Sequence, residues 1–300
     1  MPNIAIVWDF DGTLSPDDST TKVVEVLQGA PRGGEFWAYI KSLRGDRDMP
    51  KWEHVLAMDA PIWMYSLARL AARQRTPLNA EFFRKFVLPS ISLYPNVVPF
   101  MKAVSEIDQG EEFKRLELEI HHFIITAGLK ELVEQVFPER LVAWTFGCRY
   151  KVVVDEQHQD EPESIPVFCM DETVKTRSLF EISKGAFCNS RIRVNTKVED
   201  NELWASFQNM IYIGDGDTDI PALSLVRSKG GLGVAVYNPE KSKNSIEERL
   251  YALRLDKRTD LITPADFSVN GELFQYIKTR CIQIRQRYEA SECAARDVDA

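Results

Sequence analysis

The stretch Ile4-Ala5-Ile6-Val7-Trp8-Asp9-Phe10-Asp11-Gly12-Thr13-Leu14 decides how the chain is read. It opens as an apolar, β-rich run, the pattern of a strand buried on both faces. It then stops abruptly in two carboxylates, a glycine and a threonine. In an open α/β sheet, ligands bind in the crevice beyond the carboxyl ends of the strands. Asp9 and Asp11 are two residues apart, so in extended geometry both side chains leave the same face. Two carboxylates so placed repel each other unless a metal ion or a shared proton relieves them. A solvated Asp-Gly turn is the plain alternative. Against it stand the apolar strand before the acids and three further pieces of the same chemistry downstream.

The second acidic cluster has the same build. Met210-Ile211-Tyr212-Ile213 is a strand, Gly214-Asp215-Gly216-Asp217-Thr218-Asp219 follows, and Pro221 begins a helix. An EF-hand calcium loop is the main rival, and it fails. Its sixth position is Ile220 where glycine is needed, and its twelfth is Val226 where glutamate is needed. Between the clusters, Ile120 to Ile125 reads as a buried strand ending in Thr126-Ala127-Gly128, with a helix from Leu129 to Phe137. A hydroxyl beside the free N–H groups of a helix start makes a phosphate cradle. Asp171-Glu172-Thr173-Val174-Lys175-Thr176-Arg177 opens another helix, through Ile182. A lysine there runs against the helix-dipole preference. Lys184, near the helix end beside Gly185, is the other candidate cation.

These four pieces, in this order, resemble the motifs of the haloacid dehalogenase-like (HAD) hydrolases, a superfamily dominated by phosphatases. Asp9-Phe10-Asp11-Gly12-Thr13-Leu14 is similar to the first motif, Thr126 to the second, Lys175 to the third and Asp215 with Asp219 to the fourth. The resemblance implies an α/β fold: a Rossmann-like, doubly wound parallel-sheet core with an inserted α-helical cap. The core then takes residues 1–15 and 93–288, with a small β excursion at about 145–170, the cap takes 16–92, and 289–300 are a polar tail.

Composition sets the outer bounds. The 300 residues are 44% hydrophobic and 27% charged, a globular balance with material for one large or two smaller domains. The net charge is −8 and no long basic run occurs, which argues against nucleic acid as a partner. Cys148, Cys169, Cys188, Cys281 and Cys293 are scattered and form no C-x-x-C pair, so neither a zinc site nor a disulfide framework is expected, and a cytoplasmic setting is the simpler reading. No stretch approaches the roughly 20 apolar residues that span a bilayer. The expected partner is a small phosphorylated substrate.

Residues 15–92 are helical and aromatic. Asp17, Asp18 and Ser19 can cap a helix from about Thr21, Trp52 to Gln74 is helical with a break or kink at Pro61, and Asn79 caps another helix. Trp37, Trp52 and Trp63 read first as the core of this segment and second as a surface for an apolar or aromatic substrate. His121 and His122 read as core or surface groups, and the acidic loop from Asp155 to Glu163 as a solvated tip. Asp260 to Asp266 is a connector returning the chain to the core, with helices near Ser245 to Leu253 and Gly271 to Tyr288.

The resemblance also implies roles. Asp9 is the nucleophile that forms an aspartyl-phosphate, and Asp11 is the general acid and base. Lys175 stabilises charge, and Thr126 with the Gly128 N–H holds phosphate. Magnesium is held by Asp9, the Asp11 carbonyl and Asp215, with Asp219 orienting from nearby. In phosphoserine phosphatase-like members an acid at the offset of Asp18 contacts substrate. An acid at Asp11 favours a phosphatase over a dehalogenase, since halide needs no proton. A phosphotransferase or mutase, or a noncatalytic phosphate-binding module, remain the alternatives.

Overall fold

The computed structural model describes residues 3–43, 59–154, 162–240 and 258–298. Its strands are β1 (Asn3–Trp8), β2 (Glu119–Leu129), β3 (Trp144–Val153), β4 (Glu163–Phe168), β5 (Met210–Gly214), β6 (Leu232–Tyr237) and β7 (Leu261–Pro264). They form one sheet in the order β4-β3-β2-β1-β5-β6-β7. Every neighbouring pair is parallel except β3 with β4, which form an antiparallel hairpin. β1 lies at the centre, where the strand order reverses between β2 and β5, and such a reversal opens a crevice at the carboxyl ends of the strands.

The helices are α1 (Ser19–Gln28), α2 (Gly33–Leu43), α3 (Asp59–Arg73), α4 (Ala80–Phe82), α5 (Val97–Ser105), α6 (Glu111–Arg115), α7 (Lys130–Val133), α8 (Glu172–Lys184), α9 (Ile220–Ser228) and α10 (Glu272–Val298). Strand alternation divides the core in two. Ala5 and Val7 of β1 pack with the apolar sides of α1, α3, α8 and α9. Ile4, Ile6 and Trp8 face the other way, into the layer of α5 and α10. All six residues of β1 are buried, as its unbroken apolar run requires. The fold is thus the α/β, doubly wound, mainly parallel sheet that the sequence implies.

Between β1 and β2 the described chain is helical. Asp18 caps α1, its carboxylate accepting the Thr21 N–H at 2.6 Å, and Asn79 caps α4 by accepting the Phe82 N–H at 2.9 Å. α4 runs directly into a π-helical turn, Phe83–Val87. Pro61 sits in the first turn of α3, where proline is tolerated; the expected helical residues from Trp52 to Met58 lie outside the described residues. The β3–β4 hairpin supports these helices. Tyr150 Oη donates to the Met64 carbonyl at 2.7 Å, and the Leu78 N–H donates to Ser164 Oγ at 2.9 Å. The acidic tip, 155–161, and the helix expected near Ser245 to Leu253 also lie outside the described residues.

Two expectations are corrected. Asp260 to Asp266 is more than a connector: its centre is β7, a sheet-edge strand, because Asp260 ties the chain to Gly233 through both its N–H and its carboxylate. The final helix does not stop at Tyr288 before a frayed tail but continues to Val298, and Arg115 secures the extension with Glu289 and Glu292, both at 3.0 Å. Among the described residues no helix is long and apolar enough to cross a membrane. All five cysteines are free.

Candidate active site

The two acidic clusters meet because β1 and β5 are neighbours. Asp9 directly follows β1, and its N–H donates to the Ile213 carbonyl at 2.8 Å, so both strands end together. Asp9 is buried. Its Oδ1 accepts from Lys175 Nζ at 2.8 Å and its Oδ2 from the Thr13 hydroxyl at 3.3 Å. Lys175 comes from the first turn of α8, which Asp171 caps by accepting the Thr173 and Val174 N–H groups. Leu179 and Ile182, four and seven residues further on, bury the same face of the helix and aim the lysine at the strand ends.

Lys175 also donates to Asp219 Oδ1 at 2.7 Å and to Thr218 Oγ1 at 3.3 Å. Asp219 is fully buried and accepts two further bonds, from Tyr212 Oη at 2.6 Å and from the Gly216 N–H at 3.1 Å. One buried ammonium is therefore shared by two buried carboxylates. Burial alone would lower Lys175, but the charges of Asp219 and Asp9 hold it well above the usual lysine range. Burial, with Asp219 next in weight, pushes Asp9 up to about 7 against the pull of Lys175.

Asp11 has a different environment. Its carboxylate accepts the Ser19 N–H at 2.8 Å and the Ser19 hydroxyl at 3.0 Å. Burial still pushes it well above the usual carboxylate range, and the charges of Asp18 and Asp9 add to this. The turn between the two acids needs Gly12, which has φ +82°, and a Cβ there would lie 2.3 Å from Asp215 Oδ2. That closeness brings Asp215 to the first motif. Asp9, Asp215 and Asp219 each offer a carboxylate oxygen, all within 4.8 Å of one another. Such an all-oxygen donor set suits a hard divalent cation.

The remaining expected residues are placed as follows. β2 runs on to Leu129, so Thr126-Ala127-Gly128 is strand and not the turn expected before a long helix; α7 is only four residues. Thr126 is fully buried and its Oγ1 accepts the Gly128 N–H at 2.9 Å, so these two groups satisfy each other. Ala127 and Gly128 line the cavity in front of Asp9, and so does Asp18, in addition to capping α1. Lys184 is remote: its Nζ donates to the carbonyls of Val194 and Thr196. His122 is a core group, accepting from Trp8 Nε1 at 3.0 Å and meeting the Met101 carbonyl at 2.9 Å.

The sequence reading gave no role in the site to Thr13, Ser19, Thr218 or Tyr212, each of which bonds to one of its charged groups. Tyr212 carried a signal, since a tyrosine inside an otherwise apolar buried strand needs a partner for its hydroxyl. Ser19 carried none, because a cap-box serine and a carboxylate clamp look alike in sequence.

No protein-family model matches the chain. It is 23% identical over 147 residues to an uncharacterized protein of Borreliella burgdorferi, a match covering 46% of this chain. The chain spans about half, 50%, of the length of that curated relative. Among solved structures it is similar to a phosphoserine phosphatase in its apo form, with 16% identity, covering 91% of this chain and 98% of that one, at a TM-score of 0.46. It is also similar to a HAD family hydrolase of Salmonella enterica subsp. enterica serovar Typhi, with 14% identity, covering 83% and 66%, at a TM-score of 0.48.

Proposed function

We propose that the chain is a magnesium-dependent phosphatase that hydrolyses a phosphate monoester of a small metabolite through an aspartyl-phosphate on Asp9. The observation that carries this is the division of labour between two acids two residues apart: Asp9 sits against Lys175 and Thr13, and Asp11 is clamped by Ser19. Acids held in different environments can serve as nucleophile and as proton donor.

In the first step an Asp9 oxygen attacks phosphorus and the ester P–O bond breaks. Asp11, whose surroundings favour the protonated form, gives its proton to the leaving oxygen. In the second step Asp11 takes a proton from water, whose oxygen attacks phosphorus. The bond to Asp9 breaks, freeing inorganic phosphate and the carboxylate. Lys175 offsets the charge that gathers on the phosphoryl oxygens. A phosphate oxygen held by the Gly128 N–H takes the place of Thr126 Oγ1 on that donor.

Asp9, Asp215 and the Asp11 carbonyl would hold magnesium, with Asp219 beside them. When bound, the ion supplies positive charge that neutralises the transferring group and keeps Asp9 ionised. The helical segment acts as a cap: Trp37 on α2 and Asp59, Ala60 and Trp63 on α3 line the same cavity of about 520 Å³ as Asp9. Closure there excludes water and strengthens every charge inside.

The test is phosphate release from p-nitrophenyl phosphate, with and without magnesium, by wild type and Asp9→Asn. Turnover is expected only with magnesium and is expected to vanish in Asp9→Asn. Full activity in that variant would overturn the assigned nucleophile.

A further inference from the structure

Two carboxylates of the site draw on one ammonium. Lys175 Nζ donates to Asp9 Oδ1 at 2.8 Å and to Asp219 Oδ1 at 2.7 Å, and all three side chains are buried. Asp9 is the nucleophile of the proposed mechanism, whereas Asp219 makes and breaks no bond in it. What holds Asp219 therefore governs how much of the ammonium is left to Asp9 and to the phosphoryl oxygens. Its carboxylate lies against the backbone of Gly214, where a Cβ would stand 2.5 Å from Asp219 Oδ2. The Gly216 N–H, in the same turn, donates to Oδ2 at 3.1 Å. Oδ1, the oxygen that Lys175 uses, has a second donor in Tyr212 Oη at 2.6 Å.

Tyr212 is the middle residue of β5, paired with Val7 on one side and Gly233 on the other, and it is fully buried. It belongs to the apolar layer that also holds Leu179 and Ile182 of α8 and Leu223 of α9. A phenylalanine would fill that layer as well, and only the hydroxyl needs a polar partner. The plain role is that Asp219 satisfies this hydroxyl. The geometry assigns it more. An O–H donor this close to a carboxylate makes a charge-assisted bond, roughly twice as strong as a neutral one. It ends on the same oxygen that attracts Lys175. Two donors on one oxygen divide its negative charge, and the pull on each falls with the charge that faces it.

We infer that Tyr212 is a positioning residue whose hydroxyl restrains the pull of Asp219 on Lys175 and so keeps the ammonium on Asp9. Its consequence for turnover rests on the phosphatase reading, to which it adds a group that touches no substrate. Without the hydroxyl the ammonium is drawn toward Asp219. Asp9 then loses its screen, and the phosphoryl oxygens lose a counter-charge in the transition state.

The experiment compares the wild-type chain with Tyr212→Phe, Asp219→Asn and the double variant. With p-nitrophenyl phosphate and saturating magnesium, Tyr212→Phe is expected to lower kcat about tenfold while KM changes less than about twofold, because the interaction lost is one made in the transition state. In Asp219→Asn no second carboxylate competes for the ammonium, so adding Tyr212→Phe is expected to cost less than about twofold more. Calorimetric binding of magnesium without substrate reads the position of the ammonium apart from turnover. An Asp9 left by its ammonium is expected to bind the cation about threefold or more tightly in Tyr212→Phe than in wild type. A tyrosine that only fills the layer would lower the melting temperature and leave kcat and cation affinity unchanged, and that result overturns the inference while the phosphatase stands. A further loss of about tenfold in the double variant overturns it too, since Tyr212 would then act other than through Asp219. If wild type turns over no ester, the phosphatase reading fails. Calorimetry then decides alone: tighter magnesium binding in Tyr212→Phe supports the inference, and equal or weaker binding overturns it.

Discussion

The strand ends of β1 and β5 and the helical segment that faces them are built on opposite principles. At the strand ends, Asp9, Lys175 and Asp219 are buried charges, each held by directed bonds of 2.6–3.3 Å to other parts of the chain. In the helical segment, position is set by apolar packing of Val23, Met64, Leu67 and Phe83 and by local caps at Asp18 and Asn79. The difference teaches where rigidity is needed. The groups that the proposed mechanism sets against phosphorus must be fixed before substrate arrives, since a misplaced charge loses its electrostatic advantage. Walls that choose a substrate need shape and sign, which packing supplies.

Breaking the buried charges should therefore do the most damage. Lys175→Met leaves Asp9 and Asp219 facing each other without a cation, and a loss of about 3–5 kcal/mol is expected in denaturant unfolding, together with loss of turnover. An unchanged unfolding midpoint would show that the two carboxylates do not depend on that ammonium. Asp11→Asn keeps the shape of the Ser19 clamp and removes the proton donor of the proposed mechanism. Turnover is expected to drop by roughly 10²–10⁴-fold with stability little changed. Loss of the folded state instead would place Asp11 among the structural groups.

A buried histidine tests the sheet outside both regions. Burial lowers His122 to about 4 in the folded chain, below its ordinary 6.5. The unfolded chain binds the proton first as pH falls, so stability is fully present above about 6.5 and is lost toward pH 4, on the order of 3 kcal/mol in all. Melting curves across that range should show the slope, and His122→Gln should flatten it. The smallest effect belongs to the helical segment. Asn79→Ala removes the bond to the Phe82 N–H and is expected to lower stability by about 1 kcal/mol. A loss as large as that of Lys175→Met would erase the contrast between the two regions.

Much of the core was legible because its signals are local. An apolar run ending in Asp9 and Asp11 specifies a central strand and an acidic end without reference to any distant residue. Lys175 was legible as a cation one turn into a capped helix, and Asp18 as a cap. The extension of α10 to Val298 was hidden because its support, Arg115, lies far away in sequence. β7 was hidden because a four-residue strand carries little periodicity, and its tether to Gly233 is a tertiary contact.

The sequence by itself determined the order of the chemical pieces and the presence of an acidic pair at the end of β1, which follow from periodicity and residue type, and it gave the fold class through the family resemblance those pieces carry. Only the tertiary structure decided which groups share a hydrogen-bond network. It set Tyr212 and Lys175 on Asp219, Ser19 on Asp11, and Thr126 on the Gly128 N–H. It also decided that two indoles and extra carboxylates of separate elements line one cavity. The physical reason is range: a strand or a cap is specified within a few residues, whereas hydrogen bonds and cavity walls depend on side chains that meet only when the sheet order brings their strands and helices together.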